Sequence, residues 1–221
     1  MIADIVRFAL PTIYPITDTT ISGLSHRDQV KQLIEGGATL IQLREKRASP
    51  REFFQNAREA LSIARSAAVK LIINDRVDIA LAIGADGVHL GQTDMPVEAA
   101  RRLLGDQAII GFSTHNVNQL EDAVRRSVDY LAFGPIFPTA SKENPDPIVG
   151  LAELAQVKTL VGSLPLVAIG GIGTGAIREV LRSGADSVAV ISAVLNGPNA
   201  IAENLRNLQS LTILGRKGQL C

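Results

Sequence analysis

Apolar, β-branched runs alternate strictly with helical patterns along this chain, and that alternation limits the fold more than any other feature. The runs fall at residues 12–16, 39–43, 70–73, 87–90, 108–112, 130–133, 166–169 and 187–191. The helical patterns lie near 26–36, 50–67, 76–84, 96–104, 117–127, 150–161, 174–184 and 198–209. Eight strand-then-helix units make an α/β chain read as a (β/α)8 TIM barrel. The alternative is a doubly wound open sheet. That fold usually has fewer strands and a Gly-rich dinucleotide turn after the first, and no such turn follows Ile16. A weak repeat agrees with the barrel. Gly37-Ala38-Thr39, Gly84-Ala85-Asp86, Ser127-Val128-Asp129 and Gly184-Ala185-Asp186 each lead into an even-numbered strand.

The length of 221 residues is normal for a barrel. Residues 1–214 are expected to form one barrel domain, with 215–221 a disordered polar tail. Hydrophobic residues make up 46% but aromatics only 4%, so the core must be Ile, Leu, Val and Ala. Zero net charge argues against nucleic acid or a polybasic membrane role. The single cysteine, Cys221, excludes an intrachain disulfide and a thiolate metal site, and fits a reducing cytoplasm. No signal peptide is expected at the N-terminus, and no apolar run approaches membrane-spanning length.

Residues 71–95, LIINDRVDIALAIGADGVHLGQTDM, read as strand, helix, strand. Asn74, Asp75 and Asp94 come just after strands end, and parallel strands end on one side, so the two carboxylates should converge. At about 4 Å and an effective dielectric near 20, their repulsion is roughly 4 kcal/mol. One must be protonated, or a cation must lie between them. Two oxygen donors suit Mg2+, which keeps waters and bridges to phosphate. The structural alternative is that Asp75 and Asp94 only cap the helices that follow.

The other strand ends add to this mouth. Arg44 and Lys46 follow the second strand, Ser113 and His115 the fifth, and Lys142 the sixth. Gly170-Gly171 follows the seventh and Ser192 the eighth. Two anion sites result. One, near Gly171 and Ser192 at a helix start, suits a monophosphate. The other, formed by Arg44, Lys46, Asn74 and Lys142 with a metal on Asp75 and Asp94, suits a pyrophosphate. No nucleophile–base pair and no apolar Schiff-base lysine is evident. Bland alternatives remain: Arg44 and Lys46 as solvated rim charges, His115 as a helix cap, and His89 as a satisfied core histidine. His26 reads as structural. Glu45 alternates with Arg44 and Lys46, so its side chain should turn to the outer layer. Residues 134–150 form a loop long enough to be functional.

Seven strings carry a resemblance in order: IQLREK (41–46), INDR (73–76), GADGVHLGQTDMP (84–96), STH (113–115), GPIFPTASK (134–142), AIGGI (168–172) and AVIS (189–192). Together they resemble the thiamine-phosphate synthase family. The resemblance implies a Mg2+-dependent barrel enzyme of thiamine biosynthesis. It would join 4-amino-2-methyl-5-(hydroxymethyl)pyrimidine diphosphate to a thiazole phosphate and release diphosphate. It assigns Gln42, Leu43, Arg44, Glu45, Lys46, Asn74, Ser113 and Lys142 to the pyrimidine diphosphate. Thr139, Ala140, Ser141, Gly171, Ile191 and Ser192 go to the thiazole phosphate, and Asp75 and Asp94 to the metal. Arg44, Lys46, Ser113 and Lys142 are the expected catalytic groups. Arg76 and Ser141 depart from the commonest family pattern without removing a needed group.

A mouth of this kind favours departure of diphosphate before attack, leaving a carbocation for the thiazole nitrogen. The rivals are a thiazole tautomerase using His115, a phosphosugar isomerase or epimerase, and a silent phosphate-binding barrel. The expected partners are small molecules, with no nucleic acid and no membrane. The oligomeric state is left open, a homodimer included.

Overall fold

The computed structural model describes residues 9–141, 144 and 146–213. Eight parallel strands close into a barrel in sequence order. They are β1 (Ile13–Thr17), β2 (Leu40–Leu43), β3 (Lys70–Asn74), β4 (Gly87–Leu90), β5 (Ile109–Thr114), β6 (Tyr130–Phe133), β7 (Leu166–Ala168) and β8 (Ser187–Val190). The barrel closes where Ile13 pairs with Val188 and Tyr14 with Ala189. The helices outside are α1 (Thr19–Ser22), α2 (His26–Glu35), α3 (Pro50–Ser66), α4 (Val77–Ile83), α5 (Val97–Leu104), α6 (Val117–Ala123), α7 (Gly150–Lys158), α8 (Ile177–Arg182), α9 (Ser192–Leu195) and α10 (Ile201–Ile213). A 3-10 turn, Thr174–Ala176, leads into α8.

The expected alternation is present, with differences of detail. α1 and α9 are additional, each a single turn too short to show a helical period. α6 stops at Ala123 rather than near 127, and α10 runs later than 198–209. β5 extends to Thr114, so Ser113 belongs to a strand rather than to the loop after it. The polar tail at 215–221, with Cys221, lies outside the described residues.

Strand alternation divides the apolar residues into two layers. Ile16, Leu40, Ile72, Ile109, Val167 and Ala189 fill the barrel interior with Tyr14 and Tyr130. Ile41, Leu43, Leu71, Ile73, Val88 and Leu90 face the helices and pack with Val30, Leu33, Phe53 and Ala57. Gly111 leaves the interior space that Tyr130 and His89 occupy, because a Cβ there would collide with both.

Local chemistry fixes the helix starts. Ser49 and Glu52 form a capping box with Pro50 in the first turn of α3. Ser25 caps α2 and Asn116 caps α6. The internal repeat also has a physical basis. Asp86, Asp129 and Asp186 accept hydrogen bonds from the backbone of Leu71, Ile110 and Leu166, at 2.9, 2.8 and 2.8 Å. The same carboxylates take Lys70, Arg101 and Lys158 at 2.7, 2.7 and 2.6 Å. Each aspartate therefore ties an odd strand to the next even one at the N-terminal end of the barrel, away from the mouth.

Candidate active site

The C-terminal ends of the strands surround a cavity of about 380 Å³. Strand parity decides who faces it. Gln42 and Arg44 point in and line the cavity, as do Lys46, Asn74, Asp75, Asp94 and Ser113. Leu43 is fully buried in the outer apolar layer, so only its backbone is near the mouth. Glu45 also turns outward. It accepts from Thr19 Oγ1 at 3.1 Å and from the backbone of Arg47 and Ala48 at 2.7 and 3.1 Å.

On one side stand the cations and the paired carboxylates. Lys46 Nζ lies 2.5 Å from Asp75 Oδ2. Arg44 Nη1 lies 2.5 Å from Asp18 Oδ2, and Nη2 donates to the Ser141 carbonyl at 3.0 Å. Arg44 is 16% exposed, which is not the state of a solvated rim charge. Neither aspartate is a helix cap. α4 begins after Arg76 and α5 after Pro96, neither with a side-chain cap bond. Asp75 has φ 62, a left-handed conformation uncommon outside glycine and best tolerated by Asn and Asp. Asp94 accepts from the Gly91 N–H at 2.7 Å. Burial pushes the Asp94 carboxyl above the usual carboxylate range, and the neighbouring Asp75 pushes the same way, against Gly91 and Lys46. Both aspartates line the one cavity.

The donor set fits a hard cation. Among the described residues no cluster of three or more His, Cys, Asp or Glu side chains forms a cage. Two carboxylates open to the cavity leave room for water and phosphate oxygens, the arrangement Mg2+ takes.

Beneath the cavity a hydrogen-bonded chain runs through the barrel core, reaching the lining at Gln42, His89 and Ser113. Gln42 Nε2 donates to Tyr14 Oη at 3.2 Å, and Tyr14 Oη meets Tyr130 Oη at 3.1 Å. Tyr130 Oη lies 3.0 Å from His89 Nδ1, and His89 Nε2 lies 2.8 Å from Ser113 Oγ. These are the only two tyrosines of the chain. His89 stacks on Tyr130 with centroids 5.5 Å apart. It is the satisfied interior histidine of one of the sequence readings. The pairing with Ser113 places a hydroxyl beside an imidazole. It is not an activated nucleophile, however. Burial drives the His89 pKa down to about 4, and a phenol rather than a carboxylate stands behind the ring.

Thr139, Ser141, Gly171, Ile191 and Ser192 also line the cavity, Ser141 beside Arg44, while Ala140 does not. Gly171 has φ 64, and a Cβ there would collide with the Pro138 carbonyl. Ile136 and Phe137 donate to the carbonyls of Ile169 and Gly170 at 2.9 and 3.0 Å. The start of the long loop therefore lies along the segment after β7. Lys142 lies outside the described residues.

The other two histidines are tied. His115 Nδ1 donates to the Gly134 carbonyl at 2.6 Å, and Nε2 faces Asp146 at 3.5 Å. Asn116, not His115, caps α6. His26 is buried between Thr17 Oγ1 at 2.7 Å and Glu45 at 3.3 Å, a structural role as expected. Sequence reasoning missed Tyr14, Tyr130, Asp18 and Asp146. Two tyrosines inside otherwise aliphatic strands were the available signal, since a buried phenol needs a polar partner.

A family model described as thiamine monophosphate synthase matches residues 13–194. A thiamine-phosphate synthase from Chloroflexus aurantiacus is 47% identical over 214 residues, covering 96% of this chain and 97% of that protein. One from Koribacter versatilis is 48% identical over 196 residues, covering 86% of this chain and 91% of its own. Among solved structures, the thiamine phosphate pyrophosphorylase of Pyrococcus furiosus superposes with a TM-score of 0.82 at 35% identity, covering 92% of this chain and 96% of that one.

Proposed function

Since the chain belongs to the thiamine monophosphate synthase family and is a transferase of thiamine biosynthesis, we propose that its mouth joins an aminopyrimidine diphosphate to a thiazole phosphate and releases diphosphate. The observation that carries this reading is one cavity edged by Arg44, Lys46, Asp75 and Asp94 on one side and by Gly171 and Ser192 on the other. The distribution of charge sets the orientation. The diphosphate goes to the cations, and the monophosphate to the backbone N–H groups near Gly171 and Ser192.

Asp75 and Asp94 would hold Mg2+, which when bound supplies positive charge against the leaving diphosphate. Lys46, now on Asp75, is placed to turn to the ligand. Arg44 presents its remaining N–H donors to the departing oxygens, and Lys142 is assigned the same task by its place in the sequence. Gln42 lines the cavity and can face a flat polar ring, with the buried tyrosine pair behind it. With the Gln42 amide donating to Tyr14, every proton of the chain can point toward Ser113. The hydroxyl hydrogen of Ser113 then faces the cavity as a donor.

The pyrimidine amino group can support a cation at the methylene carbon, so the carbon–oxygen bond breaks before the thiazole nitrogen attacks. The residues position the partners and stabilise charge, and no covalent enzyme intermediate forms. The reaction fits a cytoplasmic enzyme acting on small molecules, and a homodimer is compatible with it. Among the described residues, no helix is long and apolar enough to cross a membrane.

Arg44→Ala and Asp75→Ala should each cost several kcal/mol of transition-state stabilisation, since each leaves charge uncompensated. Steady-state kinetics with both substrates checks this. Turnover near wild type in either variant removes that residue from the site.

A further inference from the structure

Asp18 is an anion beside a seat for a diphosphate, which such a seat would ordinarily exclude. It does not line the cavity, and its side chain is 10% exposed. Its two carboxylate oxygens do different work. Oδ1 accepts from the backbone of Thr20 and Ile21 at 2.9 and 3.2 Å, capping α1. Oδ2 meets Arg44 Nη1 at 2.5 Å. The backbone of Asp18 is held as well. Its N–H donates to Gln29 Oε1 at 3.0 Å, and its carbonyl accepts from Ser22 Oγ at 3.0 Å. Cap, backbone and barrel strand thus make the carboxylate a rigid post. Arg44, on a long flexible stem, is fixed by that post at one amino group and by the Ser141 carbonyl at the other.

We propose that Asp18 is a positioning residue for the reaction: it holds the Arg44 guanidinium in the mouth, ready for diphosphate, through the end of β1. This rests on the assignment of Arg44 to the diphosphate. Without the post, the guanidinium would sample rotamers directed into solvent, and the ligand would have to order it on binding. Arg44 also reaches the strap that bears Thr139 and Ser141, so the same post indirectly steadies the edge of the opposite seat.

The cap and the post can be separated. Asp18→Asn keeps an oxygen to cap α1 but places an amide donor against Arg44. Asp18→Ser keeps a capping hydroxyl too short to reach Arg44. Calorimetric titration with inorganic pyrophosphate and Mg2+ should show binding weakened at least about tenfold in both variants. Breaking this part-buried ion pair should lower both melting temperatures, so binding is compared at a temperature where every variant is folded. In an Arg44→Ala background, Asp18→Asn should weaken binding no further. Wild-type or tighter pyrophosphate binding by Asp18→Asn, with Arg44→Ala impaired, would overturn the post and leave the Arg44 assignment standing. An equal further loss in the Arg44→Ala background would also overturn it. Wild-type binding by Arg44→Ala would remove both.

Discussion

His89 lies inside the barrel with both ring nitrogens engaged, by Tyr130 and by Ser113. Burial lowers its pKa from 6.5 to about 4, with His115 adding to the shift and Asp94 opposing it. Between those values the unfolded chain binds a proton that the folded chain refuses. Stability is therefore fully present above about pH 6.5 and falls as the pH drops toward 4, by an amount on the order of 3 kcal/mol. His26, also lowered mainly by burial, acts in the same direction. Urea unfolding of the metal-free protein across that range checks the slope, and His89→Asn should flatten it. An unchanged acid limb in that variant would mean that His89 does not titrate on unfolding. Single residues were partly legible. Arg44, Lys46, Asp75 and Asp94 announce themselves as charges just after apolar runs. Asp18 does not, because Asp-Thr-Thr reads as an ordinary helix cap and its partner is 26 positions away.

Asp86, Asp129 and Asp186 show what the internal repeat is for. Each stands before an even strand, takes the first free N–H of the odd strand beside it and binds a cation. The most buried of these ties is Asp129 with Arg101, whose side chains are 10% and 12% exposed. Asp129→Ala would leave the Arg101 charge and the Ile110 N–H without this partner, and should cost about 2–4 kcal/mol of folding stability. Chemical denaturation measures that loss, and pyrophosphate binding at the other end of the barrel should be unaffected. A loss under about 0.5 kcal/mol would make the tie ornamental. The repeat spacing was readable in the sequence but the tie was not, since it joins residues 15 to 20 positions apart through the backbone of a neighbouring strand. The long elements were readable because apolar period and glycine stops agree. The single turns α1 and α9 were not, because four residues carry no period.

The whole barrel separates two tasks. Its N-terminal end is stitched by charged ties, and its C-terminal end gathers cations, carboxylates and backbone N–H groups around one cavity. Between them runs the polar chain from Gln42 to Ser113, placed where aliphatic packing would otherwise be continuous. That chain joins Tyr14 and Tyr130, 116 residues apart, so no local pattern could have shown it. The central claim is that this mouth couples two phosphorylated molecules by stabilising a departing diphosphate, with its carboxylates serving a metal. The most direct measurement incubates the protein with aminopyrimidine diphosphate and thiazole phosphate, with Mg2+ or with EDTA, and quantifies thiamine phosphate and diphosphate. The account predicts equal amounts of both products with Mg2+ and almost none with EDTA. Equal turnover in EDTA, or diphosphate release with no coupled product, would contradict it.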